Sequence, residues 1–175
     1  MPLLTNHEIS LLCKKDPPLI RNYFNWDEQL QPSGFDLTID TLFSLRGSGK
    51  ICTGTSGHEA PEEIEVNQDP EGFFSLSKGY YIVLLNEIVS LPKNICGINH
   101  PRSTLMRYGG IMTTGIWDAG FHGRSRVGLY VVREEGLKLQ KNAMIMQMSF
   151  HELTGESMGF QYNALYEKEL TETVL

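Results

Sequence analysis

The stretch "AMIMQMSFHEL", residues 143–153, shows the pattern that decides the fold. Its large apolar residues recur at every second position, which is the period of side chains along a β-strand. The alternation places on one face Met144, Met146, Met148 and Phe150, and on the other Ile145, Gln147 and Ser149. We therefore predict a strand with one face in the core.

Most of the remaining chain also reads as strands. Residues 35–45, 80–91 and 126–132 are apolar or alternating runs bounded by turn residues. The acidic, turn-rich segment 54–72 is predicted to be a loop or an excursion at a sheet edge. Helix is expected only after Thr5, which can cap a short N-terminal helix that ends before Pro17, and in one short internal segment. Many short strands with little helix predict a mainly β fold, a sandwich or a barrel.

The length of 175 residues favours a single domain spanning residues 1–175. No internal repeat or linker divides the chain. From about residue 155 to 175 the sequence becomes polar, and we expect this segment to act as a mobile lid or tail.

Composition excludes several classes of protein. The formal net charge of −6 argues against a general nucleic-acid binder, which would carry an extended basic face. No apolar run approaches the roughly 20 residues that span a bilayer, and the N-terminus lacks the layout of a secretion signal. The three cysteines, too few and too scattered for a disulfide framework or a zinc site, fit reduced thiols. We expect a cytoplasmic protein without membrane or nucleic-acid partners.

Against this acidic background, "HPRSTLMRYGGIMTTGIWDAGFHGRSR", residues 100–126, collects four arginines and two histidines around one acid, Asp118. Arginine presents a planar donor fork that suits phosphate oxygens. Pro101 and the pair Ser103–Thr104 are typical of a helix start, and Gly109–Gly110 of its end. Free N–H groups in a first helical turn, together with hydroxyls and arginines, can bind phosphate. The alternative is that the arginines are solvated and the hydroxyls only cap the helix.

Asp118 lies between small and turn-forming residues. A carboxylate in such a turn can orient and polarise a water molecule as a general base. It can equally cap its own turn, which is the more common role of an aspartate there. Trp117 and Phe121 beside it could stack on a base or a sugar, or could belong to the core.

Four blocks of this sequence resemble the motifs of the dUTPase and dCTP deaminase superfamily. These are "LQPSGFDLTI" (30–39), "RSTLMRYG" (102–109), "IMTTGIWDAGFHG" (111–123) and "NAMIMQMSF" (142–150). Their order and spacing cover most of the chain. The resemblance implies a distorted β jelly-roll, the dUTPase-like β-clip, assembled as a homotrimer with active sites shared between subunits.

The resemblance also implies roles for particular residues. The phosphate-binding motif is matched by Arg102, Ser103, Thr104 and Arg107. The segment that reads the pyrimidine edge is matched by the backbone from Thr113 through Thr114 and Gly115 to Trp117. Phe121 matches an aromatic that packs on the deoxyribose, Gln147 matches the fourth motif, and Asp118 matches the carboxylate that positions the attacking water.

The two branches of the superfamily differ in one residue. In the deaminases a glutamate ten residues after the motif aspartate moves protons at the pyrimidine ring, whereas here that position is Gly128. No acid occurs between Asp118 and Glu134. The chain therefore looks most like the archaeal-type dUTPases, and we expect a dUTP diphosphatase that forms dUMP and pyrophosphate. Two alternatives remain: a dCTP deaminase or bifunctional enzyme that uses an acid such as Glu134 or one from a neighbouring subunit, and a nucleotide-binding protein without turnover.

Hydrolysis implies Mg²⁺, bound mostly to phosphate oxygens and water. Asp36 matches a motif residue that contacts this water shell indirectly, although it could simply structure a turn. The C-terminal motif of the family is glycine-rich, whereas "GESMGFQYNALY" (155–166) lacks a dense glycine run. Gln161 is the candidate substrate contact within it.

Overall fold

The computed structural model describes residues 2–54 and 56–157. Its three helices are α1 (Asn6–Leu12), α2 (Trp26–Gln29) and α3 (Ser103–Arg107). Its strands are β1 (Ile20–Arg21), β2 (Leu30–Gln31), β3 (Gly34–Arg46), β4 (Glu62–Glu65), β5 (Phe73–Leu76), β6 (Gly79–Ser90), β7 (Ile95–Pro101), β8 (Gly110–Thr113), β9 (Ile116–Trp117), β10 (His122–Val131), β11 (Leu137–Gln140) and β12 (Met144–Glu152). The predicted mainly β fold is confirmed.

The strands form one large antiparallel sheet and one small one. The large sheet has the order β8-β10-β6-β3-β12-β7-β9, with β1 beside β6 and β2 and β4 beside β3, while β11 pairs with β5. Its two end strands, β8 and β9, are joined by only Thr114 and Gly115. Two linking residues reach about 10 Å, whereas seven strands laid flat would measure about 29 Å across. The sheet must therefore curl until its ends meet, as the barrel-like prediction expected.

The predicted strands occur where the patterns placed them, with shifted bounds. The run 35–45 becomes β3, 80–91 becomes β6, and 126–132 is the second half of β10. The acidic segment contributes β4 at the edge of β3, so the prediction of an edge excursion is confirmed. In β12 the alternation is interrupted by a bulge between Met144 and Met146. Because β12 lies between β3 and β7 and the bulge turns the strand, Ile145 is buried together with Met146.

Short helices are fixed by local capping. Thr5 and Glu8 form a reciprocal capping box at the start of α1, as the sequence indicated for Thr5. α3 ends at Arg107, and Gly109 follows with a φ of +87°. The structure adds α2, a single turn capped by Asn25, so the expectation of only one internal helix was wrong. A four-residue helix carries too little periodicity to be recognised from sequence.

The core lies inside the curled sheet. Its fully buried side chains include Phe35, Leu37, Leu85, Leu129 and Phe150. Burying each such side chain contributes about 1.5–3 kcal/mol. Because the strands that carry the candidate site are the ones that enclose this core, the site rests on a rigid support. None of the helices in residues 2–54 and 56–157 is long and apolar enough to cross a bilayer.

Candidate active site

The predicted phosphate-binding residues lie on and beside α3. Arg102 is the residue before its first turn, and Ser103 and Thr104 are exposed within that turn. Buried Leu105 anchors the helix, and the Arg102 N–H donates to the Ile145 carbonyl at 3.0 Å. The first turn contains no acidic residue and receives no capping hydrogen bond from the Arg102 side chain. The buried Leu105 therefore fixes the helix, and the first turn presents its hydroxyls and N–H groups to solvent.

Asp36 lies beneath Arg102. The two side chains form an ion pair in which Asp36 is almost fully buried, whereas 31% of the Arg102 side chain remains exposed. An Arg102 nitrogen also lies 3.6 Å from Met144 Sδ. Asp36 therefore holds one side of the guanidinium and leaves the other free for a ligand. The contact that the sequence suggested, between Asp36 and the water shell of a metal ion, stays a prediction.

Gln147 occupies the neighbouring position in the sheet. It faces Asp36 across the β12–β3 ladder and His100 across the β12–β7 ladder. Its side chain is half-buried. The three strands thus place Gln147 next to the Asp36–Arg102 pair, as expected for one site.

The other two arginines of the basic stretch are engaged elsewhere. Arg124 donates to the Leu85 carbonyl at 2.8 Å and to Asp40 at 2.6 Å, and Asp40 is also 2.9 Å from Lys141. Burial would raise the pKa of Asp40, but the hydrogen bonds from these two cations hold it below its usual value. Arg126 pairs with Glu63 and lies over the ring of Phe43.

The cationic cluster seen in the sequence is consequently divided. Arg124 and Arg126 tie β10 to the chain around β3, and Arg102 and Arg107 remain near α3. Arg107 is exposed and makes no ion pair with any residue that the structure describes.

Asp118 stands in a tight turn between β9 and β10. The Phe121 N–H donates to the Asp118 carbonyl at 3.0 Å, and the Gly120 N–H donates to Leu91 at 3.2 Å. The side chain is exposed, and no group in the described residues donates a hydrogen bond to its carboxylate. The turn is closed by backbone contacts, so the side chain does not act as its cap and can meet a ligand.

The aromatic residues flanking Asp118 belong to the core. Trp117 is 6% and Phe121 is 7% exposed, and the Trp117 indole donates to Ser125 Oγ. Their burial in the core anchors both sides of the turn that carries Asp118. The role implied for Phe121, packing on a deoxyribose, would use its remaining exposed edge and stays a prediction.

The segment from Thr113 to Gly115 crosses from β8 to β9 and is exposed throughout. The Thr113 hydroxyl lies 2.8 Å from the hydroxyl of Tyr80. Both lie over Gly128: a Cβ there would be 1.8 Å from the Tyr80 oxygen and 2.1 Å from the Thr113 oxygen. The space that a side chain at position 128 would need is therefore filled.

A single chain does not bring all the predicted residues together. Trp117 pairs with Gly97, near the start of β7, so Asp118 lies beside that end. Arg102 follows the other end of β7. Six residues at about 3.3 Å each separate the two positions by about 20 Å. Arg102, Asp36 and Gln147 form one cluster, and Asp118 lies outside it.

No set of three or more His, Cys, Asp and Glu side chains within the described residues is placed to hold a metal ion. Gln161 and most of the predicted lid lie outside the described residues.

Sequence reasoning missed a buried carboxyl group. Glu87 on β6 is fully buried and accepts hydrogen bonds from Gln29 Nε2 at 2.7 Å and from the Thr38 hydroxyl and N–H at 2.6 and 3.0 Å. Burial raises the pKa of Glu87 against the effect of these donors. Gln29 also donates to the Asp36 carbonyl at 2.8 Å, so this network supports the strand that carries Asp36. The sequence signal that could have revealed this buried carboxyl group is an acidic residue inside the apolar run 80–91.

Comparison with known proteins identifies the family and the fold. The profile of the "dCTP deaminase-like" family matches residues 3–153. The "Probable deoxyuridine 5'-triphosphate nucleotidohydrolase" of Methanosarcina mazei is 37% identical over 98% of this chain and 99% of its own, and its namesake in Archaeoglobus fulgidus is 40% identical over 97% and 98%. The crystal structure of a 2'-deoxycytidine 5'-triphosphate deaminase from Agrobacterium tumefaciens superposes with a TM-score of 0.64 at 20% identity, over 85% of this chain and 47% of that one. The last match confirms the predicted fold.

Proposed function

The chain belongs to the dCTP deaminase-like family, and from this premise we propose that it is a dUTP diphosphatase, which hydrolyses dUTP to dUMP and pyrophosphate. Its archaeal relatives, which align over nearly their whole length, carry the name of this activity. We propose that it acts in the cytoplasm.

The observation that carries the choice of hydrolysis over deamination is the crowding above Gly128. Replacing the amino group of cytosine requires proton transfer at the ring, and a positioned acid–base group typically contributes about 10² to 10⁴ in rate. Position 128 has no side chain, and Tyr80 and Thr113 occupy the space that one would enter. Glu134, the nearest acid along the chain, pairs with Lys78. A hydrolase needs no group at this position.

Hydrolysis assigns one role to each half of the site. Asp118 orients a water molecule and accepts its proton as the water oxygen attacks the α-phosphorus. The bond from that phosphorus to the oxygen bridging to the β-phosphate breaks, and pyrophosphate leaves. Arg102 and Arg107, with Ser103 and Thr104, bind the phosphate oxygens and stabilise the charge that develops there.

The remaining substrate contacts follow the layout of the strands. Thr113, Thr114 and Gly115 read the pyrimidine edge through their backbone, Phe121 faces the deoxyribose, and Gln147 contacts the substrate beside Arg102. Gln161, in the segment proposed as the lid, would contact the bound nucleotide.

Magnesium enters with the substrate in this proposal. The described residues offer no set of ligands for a resident ion, so the chemistry of the site suits an ion held mainly by triphosphate oxygens and water. Such an ion supplies further neutralisation of the phosphates. Asp36, while it stays paired with Arg102, would contact the water shell of this ion only indirectly.

The separation of Asp118 from Arg102 supports a shared site in a homotrimer. The backbone positions of Asp118 and Arg102 lie about 20 Å apart along β7, and the Arg102 guanidinium is held at Asp36, whereas a P–O–P linkage spans only a few ångströms. One subunit therefore contributes Asp118 and another contributes α3.

The test is release of pyrophosphate from dUTP in the presence of Mg²⁺. We expect turnover by the wild type and a loss of about 10²- to 10⁴-fold in Asp118→Asn. Asp27→Asn, which changes an exposed aspartate on α2, is the matched control and should retain full activity. Equal rates for wild type and Asp118→Asn would refute the role of Asp118, and ammonia release from dCTP would establish deamination instead.

A further inference from the structure

A tyrosine outside the motif blocks reaches the proposed base-reading segment. Tyr80 lies on β6 and Thr113 on β8, and β10 runs between these strands. Adjacent strands are about 4.8 Å apart, so the backbones of Tyr80 and Thr113 are separated by two strand spacings. Their hydroxyls nevertheless lie only 2.8 Å from each other. The Tyr80 side chain therefore passes over the middle strand.

Gly128 is what allows this passage. It pairs with Ile82 on one side and with Thr113 on the other, directly beneath the hydroxyl contact. A Cβ at this position would also lie 2.6 Å from Tyr80 Cζ, well inside the contact distance of carbon atoms. Any other residue would displace the tyrosine. The backbone of Gly128 has the conformation of an ordinary strand, which any residue can adopt. Glycine is therefore required here for space and not for its backbone conformation.

The contact holds a segment that has little other support. Thr113 is the last residue of β8, and the exposed residues Thr114 and Gly115 follow it. A Cβ at Gly115 would meet no atom within 4 Å. In the described part of the chain, Tyr80 supplies the side-chain hydrogen bond nearest to this crossing.

We propose that Tyr80 is a positioning residue for the base-reading segment: its hydroxyl fixes Thr113, and thereby the course of Thr114 and Gly115 where the pyrimidine binds. This inference rests on the proposed function. Tyr80 acts on nucleotide binding and leaves the hydrolytic step to Asp118 and the arginines. Of the two hydroxyls, one donates to the other, and the second proton is free for a pyrimidine oxygen.

Tyr80→Phe tests the proposal by deleting one oxygen. We expect KM for dUTP to rise by about three- to tenfold, the effect of one net hydrogen bond, with kcat unchanged. Thr113→Val should give the same result, and the double variant should be no worse than the more affected single one, because both remove the same contact. A merely structural role would lower the melting temperature and leave KM unchanged.

Tyr130→Phe is the matched control. Tyr130 lies directly opposite Tyr80 in the β10–β6 ladder, is similarly exposed, and its hydroxyl makes no hydrogen bond within the described residues. Its KM should equal that of the wild type. Gly128→Ala should raise KM at least as much as Tyr80→Phe, since the new methyl group displaces the tyrosine. An unchanged KM in Tyr80→Phe or in Gly128→Ala overturns the inference.

Binding of dUMP, measured by titration calorimetry, separates this inference from the proposed function. If the wild type does not cleave dUTP, the proposed function fails, but weaker dUMP binding by Tyr80→Phe than by Tyr130→Phe still supports the positioning role. If the wild type cleaves dUTP and the two variants bind dUMP equally, only the inference fails. A wild type that neither cleaves dUTP nor binds dUMP contradicts both.

Discussion

Two inactive variants should restore each other if the site is shared between subunits. Asp118→Asn removes the group that orients water, and Arg107→Gln removes a phosphate ligand. Both side chains are exposed and neither makes a hydrogen bond or an ion pair with the described residues, so both variants should fold as the wild type does. Each alone should lose about 10²-fold or more of the rate.

The expected recovery follows from the arrangement of the strands. Asp118 lies at one end of β7 and α3 begins after the other, about 20 Å away, so a complete site takes the two from different chains. In a ring of three subunits containing both variants, only one junction joins an intact Asp118 to an intact Arg107. Such mixed rings should show about one third of the wild-type activity.

The assay uses co-expression of the two variants with different affinity tags. Purification through both tags selects the mixed rings, and pyrophosphate release measures their activity. Doubly tagged wild-type protein, prepared in the same way, gives the reference rate. Activity no greater than the mean of the two separate variants would show that one chain supplies the whole site, and would refute the reasoning from β7.

Two further predictions concern the buried carboxyl groups. Asp36→Asn should destabilise the fold by about 1–3 kcal/mol in urea unfolding and raise KM for dUTP, since Arg102 loses its charged partner; an unchanged KM would mean that the pair does not position Arg102. Glu87→Gln should lower the free energy of unfolding by about 1–3 kcal/mol, because the new amide N–H₂ would lie against the donors of Gln29 or Thr38. The raised pKa of Glu87 gives the wild type a stabilisation that is complete below the ordinary value of 4.5 and is lost as pH rises through the folded pKa. The difference in free energy of unfolding between wild type and Glu87→Gln should therefore narrow as pH rises above 4.5. A difference that widens would contradict a raised pKa of Glu87.

The candidate site was predictable to the extent that its residues are close in sequence. The order Arg102, Ser103, Thr104 with Leu105 beneath them follows from a short helix that begins after a strand. The turn of Asp118 was visible from its small neighbours. What was not visible was the partner of each charge, because Arg124 and Arg126 are paired across the sheet with Asp40 and Glu63, far away along the chain.

The sequence by itself determined the four strands with the clearest apolar runs, β3, β6, β10 and β12, and the turns that bound them, since alternation, proline and glycine act over a few residues. It also determined that position 128 has no side chain. Only the tertiary structure decided what fills that space, which arginines stay free, and that Asp118 and Arg102 lie at opposite ends of β7. These outcomes depend on strand order and register, which are set by the burial of all the strands together and not by any one segment.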